Sequence, residues 1–261
     1  MPEGHTIHRA ARDLRRALLK HPLTVTSPQG RFKGGAAVLD GRRCMSVEAY
    51  GKHIAIGFEG ALWLHIHLGL FGHIRRRKLP LAAPKGAVRV RMVSSTHSVD
   101  INGPTICCNM DRAELDALIA RIGPDVLRND ADPARAIDRI AKSRAPIGRL
   151  LMDQSVIAGI GNIYRTELLW RAGLHPDTKG MQISRSALEM LWQDAKQLLE
   201  IGVKRNAIIT VENGARARTK YGERVNIFGK TTCPACCHDI QRIDIAVRRA
   251  FVCEVCQPLP D

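Results

Sequence analysis

Four cysteines near the carboxyl end place the strongest constraint on how this chain can fold. Cys233 and Cys236 form one Cys-x-x-Cys pair, and Cys253 and Cys256 form a second pair after 16 intervening residues. The two-residue spacing lets both thiolates of a pair reach one tetrahedral Zn²⁺ ion, and the intervening length fits a β-hairpin. The pattern predicts one structural zinc finger, with Cys237, the neighbour of Cys236, as an alternative ligand.

The charge of the chain indicates a polyanionic partner. Its 261 residues include 40 Lys and Arg against 25 Asp and Glu, a formal net charge of +15. A surplus of this size favours phosphate binding because counterions are released. A membrane surface is the competing partner, but the chain has no basic amphipathic terminus with aromatic anchors. We therefore expect a nucleic acid.

The location of the protein is expected to be cytoplasmic and nucleoid-associated. No apolar run approaches the ~20 residues that span a bilayer, and Glu3 and Arg9 interrupt any signal-peptide pattern at the amino terminus. A reducing compartment argues against disulfide bonds. The other three cysteines, which have no metal-ligand spacing, are interpreted as small buried hydrophobes: Cys44, Cys107 and Cys108.

The first half of the chain predicts one helix followed by short strands. Apolar residues recur at helical spacing over 6–20, with arginines on the opposite face. Alternating runs separated by Gly, Pro and Asn then predict strands of a sandwich or barrel, at Cys44–Tyr50, His53–Phe58, Leu62–His67, Val88–Val93 and Ser98–Ile101. Arg75–Lys78 is predicted to be a basic loop, either a phosphate contact or a solvated turn.

The second half is predicted to be helical. Gly123-Pro124-Asp125 marks a domain boundary. The sequence Ser186-Ala187-Leu188-Glu189 is a capping box that opens an amphipathic helix, and residues 206–221 are predicted to form a mobile loop. The predicted domains are 1–122, 123–222 and 223–261.

The amino terminus carries residues suited to covalent catalysis. Removal of Met1 would leave Pro2 with a secondary amine, and terminal amines titrate at about pH 8. Such an amine attacks an aldehyde-like carbon to form an iminium, and Glu3 could transfer the necessary protons. The simpler alternative, a plain terminus beside an exposed charge, stays open on these residues alone.

Four separated motifs together resemble the formamidopyrimidine-DNA glycosylase and endonuclease VIII family over nearly the whole chain. They are the MPEGHTIHR opening, YGKHI at Tyr50–Ile54, the stretch Met152–Tyr164 and the cysteine hairpin. The fold that the resemblance implies is α+β. An N-terminal β-sandwich with an N-terminal α-helix precedes a helix–two-turns–helix domain, which ends in a β-hairpin zinc finger.

The resemblance implies roles for eight further residues. Pro2 would be the Schiff-base nucleophile, Glu3 the acid/base residue, Lys52 a group near the phosphate and sugar of the lesion, and Arg248 the hairpin arginine that clasps flanking phosphates. The implied DNA-binding residues are Leu70, Phe71, Asn162 and Arg249. Leu70 would be the wedge that fills the gap left by a flipped base, although bare sequence places Leu70 and Phe71 more often in a core.

The third motif also has a local physical interpretation. Gly159 and Gly161 allow a tight turn, and Asn162 could cap the helix that follows. The N–H groups of that helix start suit a DNA phosphate. Glu167 also matches a family glutamate and is interpreted as structural.

The implied activity is a monomeric bifunctional glycosylase and abasic-site lyase on double-stranded DNA containing oxidised bases, chiefly pyrimidines, or abasic sites. The lyase would cleave by β,δ-elimination. Two departures, Thr6 for a glutamate and Ser155 for a lysine, put substrate choice in doubt. The alternatives are an oxidised-purine glycosylase of the formamidopyrimidine type and a non-catalytic zinc-finger protein that binds damaged DNA.

Overall fold

The protein is divided into two compact units, Met1–Arg121 and Ile122–Asp261. The computed structural model describes residues 2–212, 220–245 and 248–260. None of the helices in the described residues combines the length and the hydrophobicity of a membrane-spanning segment. The predicted subdivision of the second unit at residue 222 stays a prediction.

The first unit is a β-sandwich with three helices. Its elements are α1 Gly4–Leu18, β1 Thr24–Thr26, α2 Lys33–Leu39, β2 Cys44–Tyr50, β3 His53–Phe58, β4 Leu62–His67, β5 His73–Lys78, β6 Val88–Val93, β7 His97–Asn102, β8 Ile106–Met110 and α3 Arg112–Arg121. One sheet has the strand order β1-β6-β7-β5 and the other β2-β3-β4-β8, with antiparallel pairing throughout.

The core of this unit lies between the two sheets and beneath α1. Alternate side chains of each strand enter it, as the period of two requires. The helix contributes Ile7, Ala11, Leu14 and Leu18, while β3 contributes Ile54 and Ile56, and β7 contributes Val99 and Ile101. The predicted helix over 6–20 is confirmed, although it begins two residues earlier, because the amides of Thr6 and Ile7 already bond to the Glu3 carbonyl at 2.9 and 3.3 Å.

The predicted strands are confirmed. Four have the predicted bounds, and the fifth is longer by one residue at each end, at His97–Asn102. The prediction of a loop at Arg75–Lys78 is wrong, because these residues belong to β5 at the edge of its sheet. Basic side chains are common on such edges, where their charge opposes pairing with another chain. Helix α2, with two glycines, was not predicted.

The second unit is helical and ends in a hairpin. Its elements are α4 Pro133–Ala141, α5 Ile147–Leu150, α6 Asn162–Arg171, α7 Arg185–Arg205, β9 Gln241–Ile245 and β10 Arg248–Val252, with short 3₁₀ turns at Gly180–Gln182 and Tyr221–Glu223. The core residues come from α4, α6 and α7, including Ile137, Tyr164, Leu168, Leu191 and Leu198. The predicted helical fold and terminal hairpin are confirmed.

The helix caps differ from the predicted ones. Helix α7 is capped by Ser184, whose hydroxyl accepts a hydrogen bond from the Ala187 amide at 3.2 Å, rather than by Ser186. Asn206 ends that helix with a positive φ of 55°, a conformation that asparagine tolerates. Part of the loop predicted over 206–221 lies outside the described residues, since 213–219 are not described.

The turn between α5 and α6 is held by one amide side chain. Gln154 accepts a hydrogen bond from the Gly159 amide at 3.1 Å and donates one to the Ile160 carbonyl at 3.0 Å. Gly159 has a positive φ of 94°, the conformation for which glycine is suited. Gly161 has extended backbone and is the residue that precedes α6, so the predicted cap at Asn162 is wrong: Asn162 is the first helical residue.

Candidate functional site

Pro2 and Glu3 lie directly before α1. Pro2 is half-buried, and Glu3 is 0% exposed. Because the N-terminal end of a helix carries partial positive charge, it stabilises a carboxylate held there. Met1 lies outside the described residues. The next ionisable group, His5, is also buried, and burial lowers its pKa to about 4, so its imidazole is neutral at pH 7.

Lys52 occupies the tight turn between β2 and β3. The strands pair through Tyr50 and His53, which leaves Gly51 and Lys52 as a two-residue loop. Gly51 has a positive φ of 57°, as the first central residue of a type II′ turn requires. The Lys52 side chain is half-buried. Burial is the main cause that lowers the pKa values of His53 and His67, and the charge of Lys52 lowers both further.

Three histidines form a cluster on the face of β3 and β4 that points away from the sandwich core. His53 Nδ1 lies 2.8 Å from His65 Nε2, and the His53 and His67 rings are 4.8 Å apart between centroids. Burial, followed by the charges of neighbouring groups such as Arg121, lowers the pKa of His53 to about 3 and that of His65 to about 4. Sequence reasoning did not predict this cluster, although two of its members alternate in His65-Ile66-His67.

The loop after β4 exposes two large apolar side chains. Leu68 is buried in the core, whereas Leu70 is 42% exposed and Phe71 is 89% exposed. Their exposure differs from the core location that bare sequence favours. The loop is closed by a hydrogen bond from the Gly72 amide to the Leu68 carbonyl at 3.0 Å.

The four cysteines of the predicted zinc finger lie together. Their Sγ atoms are all within 4.8 Å of one another, and the Cys233–Cys256 and Cys236–Cys253 separations are 3.7 and 3.4 Å. Four thiolates at 2.3 Å from a tetrahedral zinc ion would be about 3.8 Å apart, whereas a disulfide would bring two sulfurs to about 2 Å. The arrangement therefore fits a metal. Cys237, which is exposed, lies outside the group.

The remaining cysteines do not share a site. Cys44 is completely buried, as expected, and its burial raises the pKa of the thiol to about 11. Cys107 and Cys108 are half-buried in β8. Cys108 Sγ lies 3.9 Å from His65 Nδ1, at the border of the histidine cluster.

Asn162, Arg248 and Arg249 are brought together in the second unit. Arg248 is half-buried and is the first residue of β10, directly after residues 246 and 247, which are not described; Arg249 is exposed. Asn162 is 6% exposed, and its Nδ2 donates a hydrogen bond to the Arg249 carbonyl at 2.9 Å. The start of α6 is thereby attached to the hairpin.

Glu167 attaches the same helix to the segment before the hairpin. It is 0% exposed, and its carboxylate accepts hydrogen bonds from the backbone amides of Asn226, Ile227 and Phe228 at 2.7–2.9 Å. The Thr210 hydroxyl is a further donor at 2.5 Å. These contacts agree with the structural role expected for Glu167.

Sequence comparisons match these units to known domains. Residues 1–105 match the formamidopyrimidine-DNA glycosylase N-terminal domain, and residues 122–213 match the formamidopyrimidine-DNA glycosylase H2TH domain. Endonuclease 8 1 of Mycobacterium tuberculosis is 40% identical, an alignment that covers 98% of this chain and 100% of that protein. The chain belongs to the formamidopyrimidine-DNA glycosylase and endonuclease VIII family, the DNA glycosylases of base excision repair.

Other relatives agree with this membership. The formamidopyrimidine-DNA glycosylase of Chloroflexus aggregans is 31% identical, covering 99% of each chain. A Lactococcus lactis formamidopyrimidine-DNA glycosylase crystallised with Fapy-dG-containing DNA superposes with a TM-score of 0.82 at 24% identity, covering 98% of this chain and 100% of that one. This structural likeness establishes the shared fold.

The histidine cluster should make the stability of this glycosylase depend on pH. The folded pKa of His65, about 4, is below its unfolded value of about 6.5. The unfolded chain therefore binds more protons between these values, and stability is lost as pH falls from 6.5 towards 4. The His65 contribution should fall by roughly 1–2 kcal/mol between pH 7 and pH 5.

Urea unfolding at the two pH values measures this effect. His65→Asn should reduce the loss of unfolding free energy between pH 7 and pH 5. The control His73→Gln, at an exposed histidine that begins β5, should leave the loss unchanged. An equal pH dependence in wild type and His65→Asn would show that His65 does not titrate as described.

Proposed function

We propose that this chain is a bifunctional DNA glycosylase and abasic-site lyase that uses Pro2 as its nucleophile. The observation that carries the proposal is the placement of Pro2 and the buried Glu3 at the start of α1 in a chain of this family. Removal of Met1 converts the Pro2 nitrogen from an amide into a secondary amine. That amine attacks C1′ of the damaged nucleoside, the bond to the base breaks, and the base departs with a proton.

The lyase step follows from the intermediate that this attack produces. The C1′–O4′ bond then breaks as Glu3 gives a proton to O4′, which opens the sugar and leaves an iminium between Pro2 and C1′. This iminium acidifies the C2′ proton, whose removal expels the 3′ phosphate. A second elimination expels the 5′ phosphate and leaves a gap. Glu3 transfers the remaining protons at the opened sugar, and Lys52, which is half-buried in its turn, is proposed to act on the sugar and phosphate of the lesion.

The proposed partner is double-stranded DNA, bound by a monomer. Support comes from the net charge of +15, from Arg248 and Arg249 in the hairpin, and from α6, whose start at Asn162 has a dipole that favours a phosphate. Several structural relatives are complexes with DNA containing a damaged base or an abasic site. The exposure of Leu70 and Phe71 suits side chains that enter a base stack.

Oxidised pyrimidines are the proposed lesions. The relative at 40% identity is named an endonuclease 8, whereas relatives at 27–31% are named formamidopyrimidine-DNA glycosylases. The zinc ion is proposed to be a single structural ion held by Cys233, Cys236, Cys253 and Cys256. Four thiolates fill a tetrahedral shell, so this ion has no position open for a reacting water.

The test compares wild type and Glu3→Gln on duplexes containing thymine glycol, 8-oxoguanine or a preformed abasic site. Wild type should excise thymine glycol faster than 8-oxoguanine. Glu3→Gln should lose excision far more than abasic-site cleavage, because an abasic site already presents an aldehyde. Retained cleavage also demonstrates that the variant folds.

Glu59→Gln, at an exposed glutamate after β3, is the matched control and should behave as wild type. Equal losses on damaged-base and abasic substrates would contradict the role of Glu3. Binding without any cleavage by wild type would instead support the non-catalytic alternative, and faster excision of 8-oxoguanine would support the purine alternative.

Loss of the metal should impair DNA binding without unfolding the first unit. Cys256→Ser removes one of four ligands, and structural zinc commonly supplies the folding energy of its hairpin. The variant should contain less zinc and bind abasic-analogue DNA about as weakly as Arg248→Ala, measured by atomic absorption and fluorescence anisotropy. Wild-type affinity in a zinc-free variant would show that the hairpin does not clamp DNA.

A further inference from the structure

A buried arginine connects the start of α6 to the DNA-binding hairpin. Arg165 lies in the first turn of α6 and is 0% exposed, the largest of the completely buried side chains. A guanidinium is always protonated and can only donate hydrogen bonds. Such a group is kept out of water only where oxygen atoms accept its protons.

The oxygens that accept from Arg165 belong to three separate elements. Its Nη2 donates to Asn162 Oδ1 at 2.6 Å and to the Arg249 carbonyl at 3.3 Å. Its Nη1 lies 3.4 Å from the Gly148 carbonyl in α5. One guanidinium thereby joins α5, α6 and β10.

Asn162 is fixed by the same arrangement. Because Arg165 only donates, the Asn162 atom that faces it must be the carbonyl oxygen, which directs Nδ2 to the Arg249 carbonyl at 2.9 Å. Both the oxygen and the nitrogen of the Asn162 side chain therefore form hydrogen bonds within the protein. Asn162 and Arg165 together supply two donors to one carbonyl of the hairpin.

That carbonyl belongs to a strand with one open edge. Among the residues that the structure describes, β10 pairs with β9 alone. An edge strand presents alternate carbonyls away from its partner, and the Arg249 carbonyl is one that α6 binds instead. The attachment point lies at the second residue of β10, immediately after Arg248.

We propose that Arg165 is a positioning residue for DNA binding. Directly and through Asn162 it holds the backbone carbonyl of Arg249, and so sets where the preceding side chain, Arg248, meets a DNA phosphate. The inference rests on the proposed function, because it requires Arg248 to bind DNA. Arg165 itself acts on the hairpin rather than on the substrate.

A double-mutant cycle between Arg165 and Arg248 separates positioning from a merely structural role. The variants are Arg165→Met, which keeps the length of the side chain without its donors, Arg248→Ala, and the two combined. The probe is a duplex with a tetrahydrofuran abasic-site analogue, titrated with the full-length zinc-loaded protein by fluorescence anisotropy at several salt concentrations.

Each single variant should raise Kd roughly tenfold and reduce the log–log salt slope by about one, as expected for the loss of one phosphate contact. The double variant should bind no more weakly than Arg248→Ala, because Arg165 has no effect left once Arg248 is removed. Arg185→Met, which removes a charge at the exposed start of α7, is the control for net charge and should leave the slope unchanged.

If Arg165→Met does not fold, Arg165→Lys replaces it in the double-mutant cycle. A lysine keeps the charge but cannot reach all three oxygens at once. The Kd of this variant should lie between those of wild type and Arg248→Ala. Additive losses in the double variant, or an unchanged slope in an Arg165 variant that binds weakly, would overturn the inference. An unchanged Kd in Arg248→Ala alone would instead contradict the proposed function.

Discussion

In the second unit, the attachment of the zinc hairpin to helix α6 depends on two buried charged side chains of that helix. Glu167 accepts hydrogen bonds from the backbone amides of residues 226–228, and Arg165 acts with Asn162 on the carbonyl of residue 249. Moving these charges out of water costs several kcal/mol each, and the charge-assisted hydrogen bonds offset that cost. Helix α6 therefore fixes both the segment that leads to the zinc hairpin and the strand that carries its arginines.

In the first unit, packed secondary structure likewise fixes the positions of the proposed catalytic residues. Apolar packing of α1 on the sandwich fixes the backbone at Pro2 and the buried Glu3. The two-residue turn at Gly51 fixes Lys52, and His53 and His67, whose pKa values are lowered mainly by burial, lie beside it. In both units, rigid elements hold groups whose proposed tasks are to react with the sugar or to bind phosphate.

Patterns that depend on near neighbours in sequence were predictable. Strict alternation gave the bounds of β2, β3, β4 and β6, and cysteine spacing gave the metal group. The prediction of a loop at Arg75–Lys78 was wrong because four consecutive basic residues show no alternation of apolar and polar side chains. These residues nevertheless form an edge strand, because they pair with β7. The hydrogen bond from Asn162 to the hairpin was not predicted because its partner, the Arg249 carbonyl, lies 87 residues away in sequence. The residues around Asn162 do not distinguish a helix cap from a side chain that binds a distant strand.

If Pro2 is the nucleophile, borohydride should reduce its iminium and join the protein permanently to DNA. The decisive measurement is trapping on duplexes with thymine glycol, 5-hydroxyuracil, 8-oxoguanine or an abasic site, followed by mass spectrometry of the cross-linked peptide. The account predicts a cross-link at an amino-terminal Pro2, formed faster on the two pyrimidine lesions than on 8-oxoguanine. A cross-link at Lys52, or wild-type trapping by a chain that retains Met1, would contradict it.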